Sequence, residues 1–349
     1  MSGGIDSSVA AKLLKDQGLD PLGVFLYFWK DDSLKEAENK CCSFGSLMDA
    51  RLVCREIGIK LYTLNFSEVF KEQVVGNFLI KYKQGNTPNP CIRCNKLVKL
   101  GLLIKRAKEL GFNCVASGHY IRLKNINNQL KLFRARDKAK DQSYFLYSLT
   151  QNQLKHLIFP LGDYNKKEVR KLAKKYGLPV VAKKESQEIC FIPDKSHNEF
   201  LKRHLKLRPG PIKTLDNIKI GQHQGLALYT IGQRRGVEIG GSGPFYVVRK
   251  DKKSNTLYVV NNSYDPALYS DKLIAREVNW ISGVKPKLPL QCQAVIRYRH
   301  QPRECKIEKS KVKQDDYLVK FKKAQRAVTS GQSVVFYKGE EMLGGGIIK

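Results

Sequence analysis

Long apolar runs are missing from this 349-residue chain. Nothing in it approaches the roughly 20 consecutive residues that a membrane helix needs, so no membrane span is expected. The N-terminus runs straight into a glycine-rich motif and reads as having no export leader, which points to the cytoplasm. Acidic residues are scarce: 32 Asp and Glu stand against 63 Lys and Arg, a formal net charge of +31. An excess of that size, spread along the whole chain, attracts polyanions. With no basic amphipathic anchor in the sequence, it favours nucleic acid over a membrane surface. Internal repeats and low-complexity tracts are also lacking. The nine cysteines are an odd number in a chain without an export signal. A disulfide framework is therefore not expected, and reactive or metal-binding thiols are.

The length allows two or three domains. In the first half, helical periodicity at 7–18, 46–58, 67–85, 95–111, 142–157 and 165–176 alternates with strand-like runs at 21–29, 60–66 and 114–120. A polar hairpin follows residue 120. This order implies crossover units, hence an α/β domain with a Rossmann-like parallel sheet and helices on both faces. Beyond about residue 195 glycine and proline punctuate short segments. From about Leu268 the runs QCQAVIRYRH, CKIEKSKV, YLVKFKK and QSVVFYKG alternate in period two, as an antiparallel β-barrel does. The expected units are an α/β domain over 1–195, a small central domain over 196–265 and a C-terminal antiparallel β-barrel over 266–349.

SGGIDSS (2–8) precedes the first helix. Gly3 and Gly4 let the backbone approach a phosphate closely, while the Ser2 and Ser7 hydroxyls and the free N–H groups of the helix start hold its oxygens. The string is neither the Walker pattern nor the dinucleotide fingerprint. A plain glycine turn capped by Asp6 or Ser7 is the bland alternative. The full S-G-G-x-D-S string, however, is the pyrophosphate loop of ATP pyrophosphatases, which split ATP into AMP and pyrophosphate. Such a loop follows a sheet strand, so either a strand precedes residue 2 or the sheet lacks its central strand.

NPCIRCNK (89–96) carries a C-x-x-C pair, Cys91 and Cys94, and Cys190 stands alone downstream. Zinc lacks an evident fourth ligand, since His119 belongs to another loop. A thioredoxin-like pair is disfavoured by the proline-rich lead-in. Cys41, Cys42, Cys54 and Cys114 suit core positions, and Cys292 and Cys305 are assigned no role.

Taken in order, SGGIDSS, TPNPCIRCN, SGHY, KDQSYFLY and ESQEICF resemble the tRNA-specific 2-thiouridylases, PP-loop enzymes that place sulfur on C2 of the wobble uridine. The resemblance extends to the C-terminal LGGGII. It implies ATP with Mg²⁺, Asp6 being the candidate metal ligand, together with tRNA and a sulfur donor, a cysteine desulfurase or a relay protein. By resemblance Cys190 carries a persulfide and Cys94 is the nucleophile that resolves it. Ser2, Gly3, Gly4, Asp6, Ser7, Leu26 and Gly118 match ATP-contacting positions. Asn89, Pro90 and Cys91 flank the target base; His119, Lys140, Asp141 and Gln142 match positions near the tRNA. Arg297, Tyr298 and Gln332 match tRNA contacts in the barrel, with Arg297 and Tyr298 read as alternating on a strand. His119 could instead simply end a strand. Cys91 departs from the family pattern as we read it, where Asp is common. Cys91, Cys94 and Cys190 together would suit a 4Fe–4S cluster with one open iron site, which stands as the alternative to the persulfide route. Another PP-loop enzyme acting on RNA, or an RNA-binding protein without catalysis, are the competing functions.

Overall fold

The computed structural model describes residues 1–31, 43–183, 189–192, 197–237 and 243–349. Cys41, Cys42 and residues 185–188 of ESQEICF lie outside them. The first unit opens with α1 (Ile5–Asp16), whose Val9, Ala10, Leu13 and Leu14 are buried. The strand β1 (Gly23–Tyr27) pairs in parallel with β2 (Leu61–Asn65), and α2 (Phe44–Ile57) crosses between them. Ser43 caps α2 by accepting from the Ser46 N–H, and Gly58 closes it in a left-handed conformation. A helix over 67–83, α3, and another over 90–109, α4, follow. Two short strands, β3 (Val115–Ala116) and β6 (Leu157–Ile158), form a second parallel pair.

The expected single parallel sheet is thus present as two separate parallel pairs, β1–β2 and β3–β6. Met1 lies between them, and its ammonium donates to the Val24 carbonyl. Burial lowers the pKa of that ammonium to about 6. A cavity of about 400 Å³, lined by α1, β1, α4 and Val115, runs alongside.

Two expectations are corrected here. The segment 142–157 is not one helix. It is a single turn at Ser143–Phe145, a short helix α5 (Gln151–Leu154) and then β6. Buried tyrosines explain the break: Tyr144 donates to the Ser333 carbonyl at 2.9 Å and Tyr147 meets the Ser333 hydroxyl at 3.1 Å. Both contacts draw the segment onto the C-terminal unit instead of letting it coil on itself. The expected strand over 114–120 is regular only at Val115–Ala116, and Cys114 is exposed rather than in the core.

The hairpin after residue 120, β4 (Ile121–Ile126) and β5 (Gln129–Arg134), turns at Asn127 and Asn128, both at positive φ. The helix α6 (Lys166–Lys175) carries a capping box from Asn165 and Glu168, and α7 (His197–His204) leads into the middle unit. There β7 (Gly210–Lys213), β8 (Lys219–His223), β9 (Tyr246–Asp251) and β10 (Thr256–Val260) form one sheet in the order β8–β7–β10–β9. The C-terminal strands are β11 (Tyr269–Trp280), β12 (Leu290–Val295), β13 (Arg303–Lys309), β14 (Tyr317–Arg326), β15 (Ser333–Lys338) and β16 (Glu341–Ile348). They run β11–β14–β13–β12–β15–β16 and close through β11–β16, a six-stranded antiparallel barrel. The hairpin β4–β5 continues that sheet by pairing with β16.

Candidate active site

Cys94 and Cys190 come together because an aromatic core gathers the segments that carry them. Phe191, next to Cys190, packs edge-on against Phe70, Phe78 and Phe200 at 5.3–5.7 Å between ring centres. That core spans the first and middle units, and Cys94 is part of it. The helix α4 begins where the sequence dictates. Asn89 accepts from the Cys91 N–H at 3.1 Å and Pro90 occupies the first turn, where its missing N–H costs nothing. From Asn95 to Leu102 α4 winds in wide π turns. Such turns bond residues five apart and recur at functional sites.

The two cysteines, with Cys91, line one cavity of about 280 Å³. Its wall includes Ser2 of the glycine loop, Leu26, Pro90, Lys99, His119, Gln142 and Phe145. None of the three is joined in a disulfide. Burial pushes the Cys91 thiol up to about 12, and the nearby Cys190 adds to the push. Cys94 is pushed up from the same two causes. On both, the Lys99 charge pulls the other way. His119 is buried, bonds Ser117 Oγ through Nδ1 at 2.7 Å, and has a pKa lowered to about 3 by burial, with Lys99 contributing. It is a neutral imidazole at the wall.

The glycine loop stands at the start of α1. Gly3 has φ +65°, and a Cβ there would strike the Ser46 carbonyl, so only glycine fits this turn. Ser7 Oγ donates to the Gly4 carbonyl at 3.0 Å and meets Ser2 Oγ at 3.1 Å. Gly118 lies against the loop: a Cβ on it would stand 2.9 Å from the Asp6 carbonyl carbon. Asp6 Oδ1 accepts from Lys166 Nζ and from the Tyr120 hydroxyl, each at 2.7 Å. No capping bond from Asp6 or Ser7 holds the helix start; Gly4 is the cap.

The remaining predicted residues divide. Gln142 accepts from the Tyr120 N–H and faces the cavity. Asp141 is buried and accepts from the Ala135 N–H, the Ser143 N–H and hydroxyl, and Arg134; Lys140 precedes it. Gln332 donates to the Thr87 carbonyl at 2.8 Å, tying the barrel to the loop before Cys91. Arg297 and Tyr298 lie in the turn after β12, not on a strand. Tyr298 packs on Phe145 at 4.4 Å between ring centres, which brings that turn to the cavity rim. Sequence reading missed Lys99, Lys166 and the Cys292–Cys305 pair, whose sulfurs face each other across β12–β13 at 3.6 Å. For Lys99 the signal was its spacing from Cys94, uninformative until the wide turns are known.

Among the described residues no group of three or more His, Cys, Asp and Glu is close enough to hold a metal ion. The three cysteines share a cavity without forming a ligand set, so they do not fit a 4Fe–4S cluster as placed. Asp6 is committed to Lys166 and Tyr120, so Mg²⁺ is treated as arriving on the ATP phosphates. Among the described residues no helix is long and apolar enough to cross a membrane.

Comparison with known proteins adds three matches along the chain. A family model described as tRNA methyl transferase HUP domain matches residues 1–194, one described as tRNA methyl transferase PRC-barrel domain matches 198–261, and one described as aminomethyltransferase beta-barrel domain matches 270–348. The tRNA-specific 2-thiouridylase MnmA of Halothermothrix orenii is 45% identical over 353 residues, covering 100% of this chain and 97% of the relative. The protein of that name from Clostridioides difficile is 44% identical over 354 residues, 100% of this chain and 96% of the relative. The one from Coxiella burnetii strain RSA 493 is 43% identical over 353 residues, with the same coverage.

Proposed function

Because the chain belongs to the tRNA-specific 2-thiouridylase family, we propose that it replaces the C2 oxygen of a tRNA wobble uridine with sulfur, splitting ATP into AMP and pyrophosphate. The observation that carries the mechanism is the shared cavity of Cys94 and Cys190, walled on one side by Ser2 of the glycine loop. Uridine C2 is a poor electrophile because its oxygen leaves badly. Adenylation turns that oxygen into part of AMP, a good leaving group. The loop Ser2–Ser8, at the free N–H groups of α1, is the place for the ATP phosphates, with Leu26 and Gly118 beside it.

The terminal sulfur of a Cys190 persulfide then attacks C2 and AMP departs. Cys94 thiolate attacks the inner sulfur, the S–S bond breaks, and its electron pair passes to the sulfur now on C2. A Cys94–Cys190 disulfide is left, which a thiol reductant returns to two thiols. Largely apolar, buried walls exclude water from the activated base, and His119 serves there as an uncharged hydrogen-bonding group. Asn89 and Pro90 present the base, while Lys140, Arg297 and Tyr298 supply charge and stacking for the tRNA. The persulfide is charged by a desulfurase or a relay protein. The proposed functional units are 1–195, 196–265 and 266–349.

The test quantifies 2-thiouridine in tRNA after incubation with ATP and a persulfide donor. Cys190→Ser and Cys94→Ser lose product by about a hundredfold or more, as removal of a nucleophile does. Product undiminished in Cys190→Ser defeats the persulfide route. The cluster reading, against which the placement of the three cysteines stands, is tested in the same assay. It predicts that Cys91→Ser loses both activity and bound iron, whereas the persulfide route keeps activity in that variant. ATP-to-AMP turnover that ignores tRNA would instead point to a different PP-loop reaction.

A further inference from the structure

We propose that Lys99 supplies the positive charge that favours the anionic form of the reacting sulfurs on Cys94 and Cys190 against the effect of burial. The proposal rests on the thiolation reading above. Five residues of an ordinary α-helix advance about 140° round the axis, so residue 99 would leave the face of residue 94. The wide turns from Asn95 to Leu102 undo that rotation, and Lys99 lines the cavity together with Cys91, Cys94 and Cys190. Gly101 permits the winding: a Cβ there would strike the Lys96 carbonyl five residues back.

Among the described residues lining this cavity, Lys99 is the one side chain with a standing charge: none of them is Asp or Glu, and His119 is neutral. Among the described residues no carboxylate lies within ion-pair distance of Lys99. A half-buried ammonium without a carboxylate partner is costly, and from the described lining the anions on offer to it are sulfur anions or an incoming phosphate. The sulfurs are the nearer claim. Lys99 opposes the effect of burial on both Cys91 and Cys94, and its backbone N–H also favours the Cys94 thiolate. A thiolate, not a thiol, is the nucleophile, so a cavity that buries its thiols needs a fixed cation beside them.

The test is alkylation of the full-length protein by iodoacetamide without ATP or tRNA. Modification of Cys94 and Cys190 is followed by mass spectrometry between pH 6 and 10. Lys99→Met is expected to move the midpoint up by about one unit or more, a roughly tenfold slower reaction at pH 7.5. Lys99→Arg stays near wild type, and Lys99→Gln repeats the comparison if Lys99→Met does not fold. Superimposable profiles for wild type and Lys99→Gln overturn the proposal. So does a Lys99→Gln variant whose only defect is a raised KM for ATP at every pH, because the charge then serves phosphate. This readout needs no turnover, so failure of wild type to make 2-thiouridine sinks the thiolation reading and leaves the alkylation result standing.

Discussion

In the folded protein His119 remains neutral down to a pKa of about 3, while in the unfolded chain it titrates near 6.5. Between those values the unfolded state binds the extra proton. The stability from burying neutral His119 is therefore complete above pH 6.5 and is lost as pH falls toward 3. His119→Gln should lose about 2 kcal/mol less than wild type between pH 6.5 and 5, measured from urea midpoints; equal slopes would refute the burial argument. Gly3 makes a second residue-scale case. Gly3→Ala forces an L side chain to φ +65° against the Ser46 carbonyl, a strain of about 1–3 kcal/mol. ATP binding, followed by calorimetry, should weaken before global unfolding appears. The glycine loop and the cysteines were legible as strings because their chemistry is carried by residue type. Lys99 and Lys166 were not, since a lysine in a sequence with 63 Lys and Arg signals nothing until its neighbours are known.

Elements were legible where local periodicity agrees with tertiary contacts. The helices at Ile5–Asp16, Phe44–Ile57 and Lys166–Lys175 follow their apolar spacing and caps. The segment 142–157 has helical spacing too, yet Tyr144 and Tyr147 are bonded to Ser333 across nearly 190 residues, and long-range satisfaction of buried hydroxyls overrides propensity. IRYRH likewise alternates as a strand should, but the barrel turns after Val295 and uses the Arg–Tyr pair at its rim. The wide turns of α4 are invisible to a 3.6-residue template. Gly101→Ala ought to restore ordinary helical winding and rotate Lys99 out of the cavity. Alkylation of Cys94 would then resemble Lys99→Gln although Lys99 is intact; a wild-type profile would show that the winding does not depend on this glycine.

Across the whole molecule the net charge of +31 makes tRNA affinity a counterion-release effect. With about six phosphate contacts, raising salt from 50 to 200 mM should weaken binding by roughly a thousandfold, as filter binding can measure. A salt-independent affinity would place recognition on stacking and shape instead. The barrel is fastened to the first unit at several points. The hairpin Ile121–Arg134 leaves the catalytic unit to extend the sheet along β16, Arg122 and Lys138 both pair with Glu340, and Gln332 grips the loop before Cys91. For anyone building chimaeras, the exchangeable module is therefore not the contiguous stretch 270–348. A graft of 270–348 from a relative would meet a foreign hairpin at the start of β16, whereas one that also carries 121–134 brings its own partner strand, so the cut points of this protein follow its sheet and not its sequence.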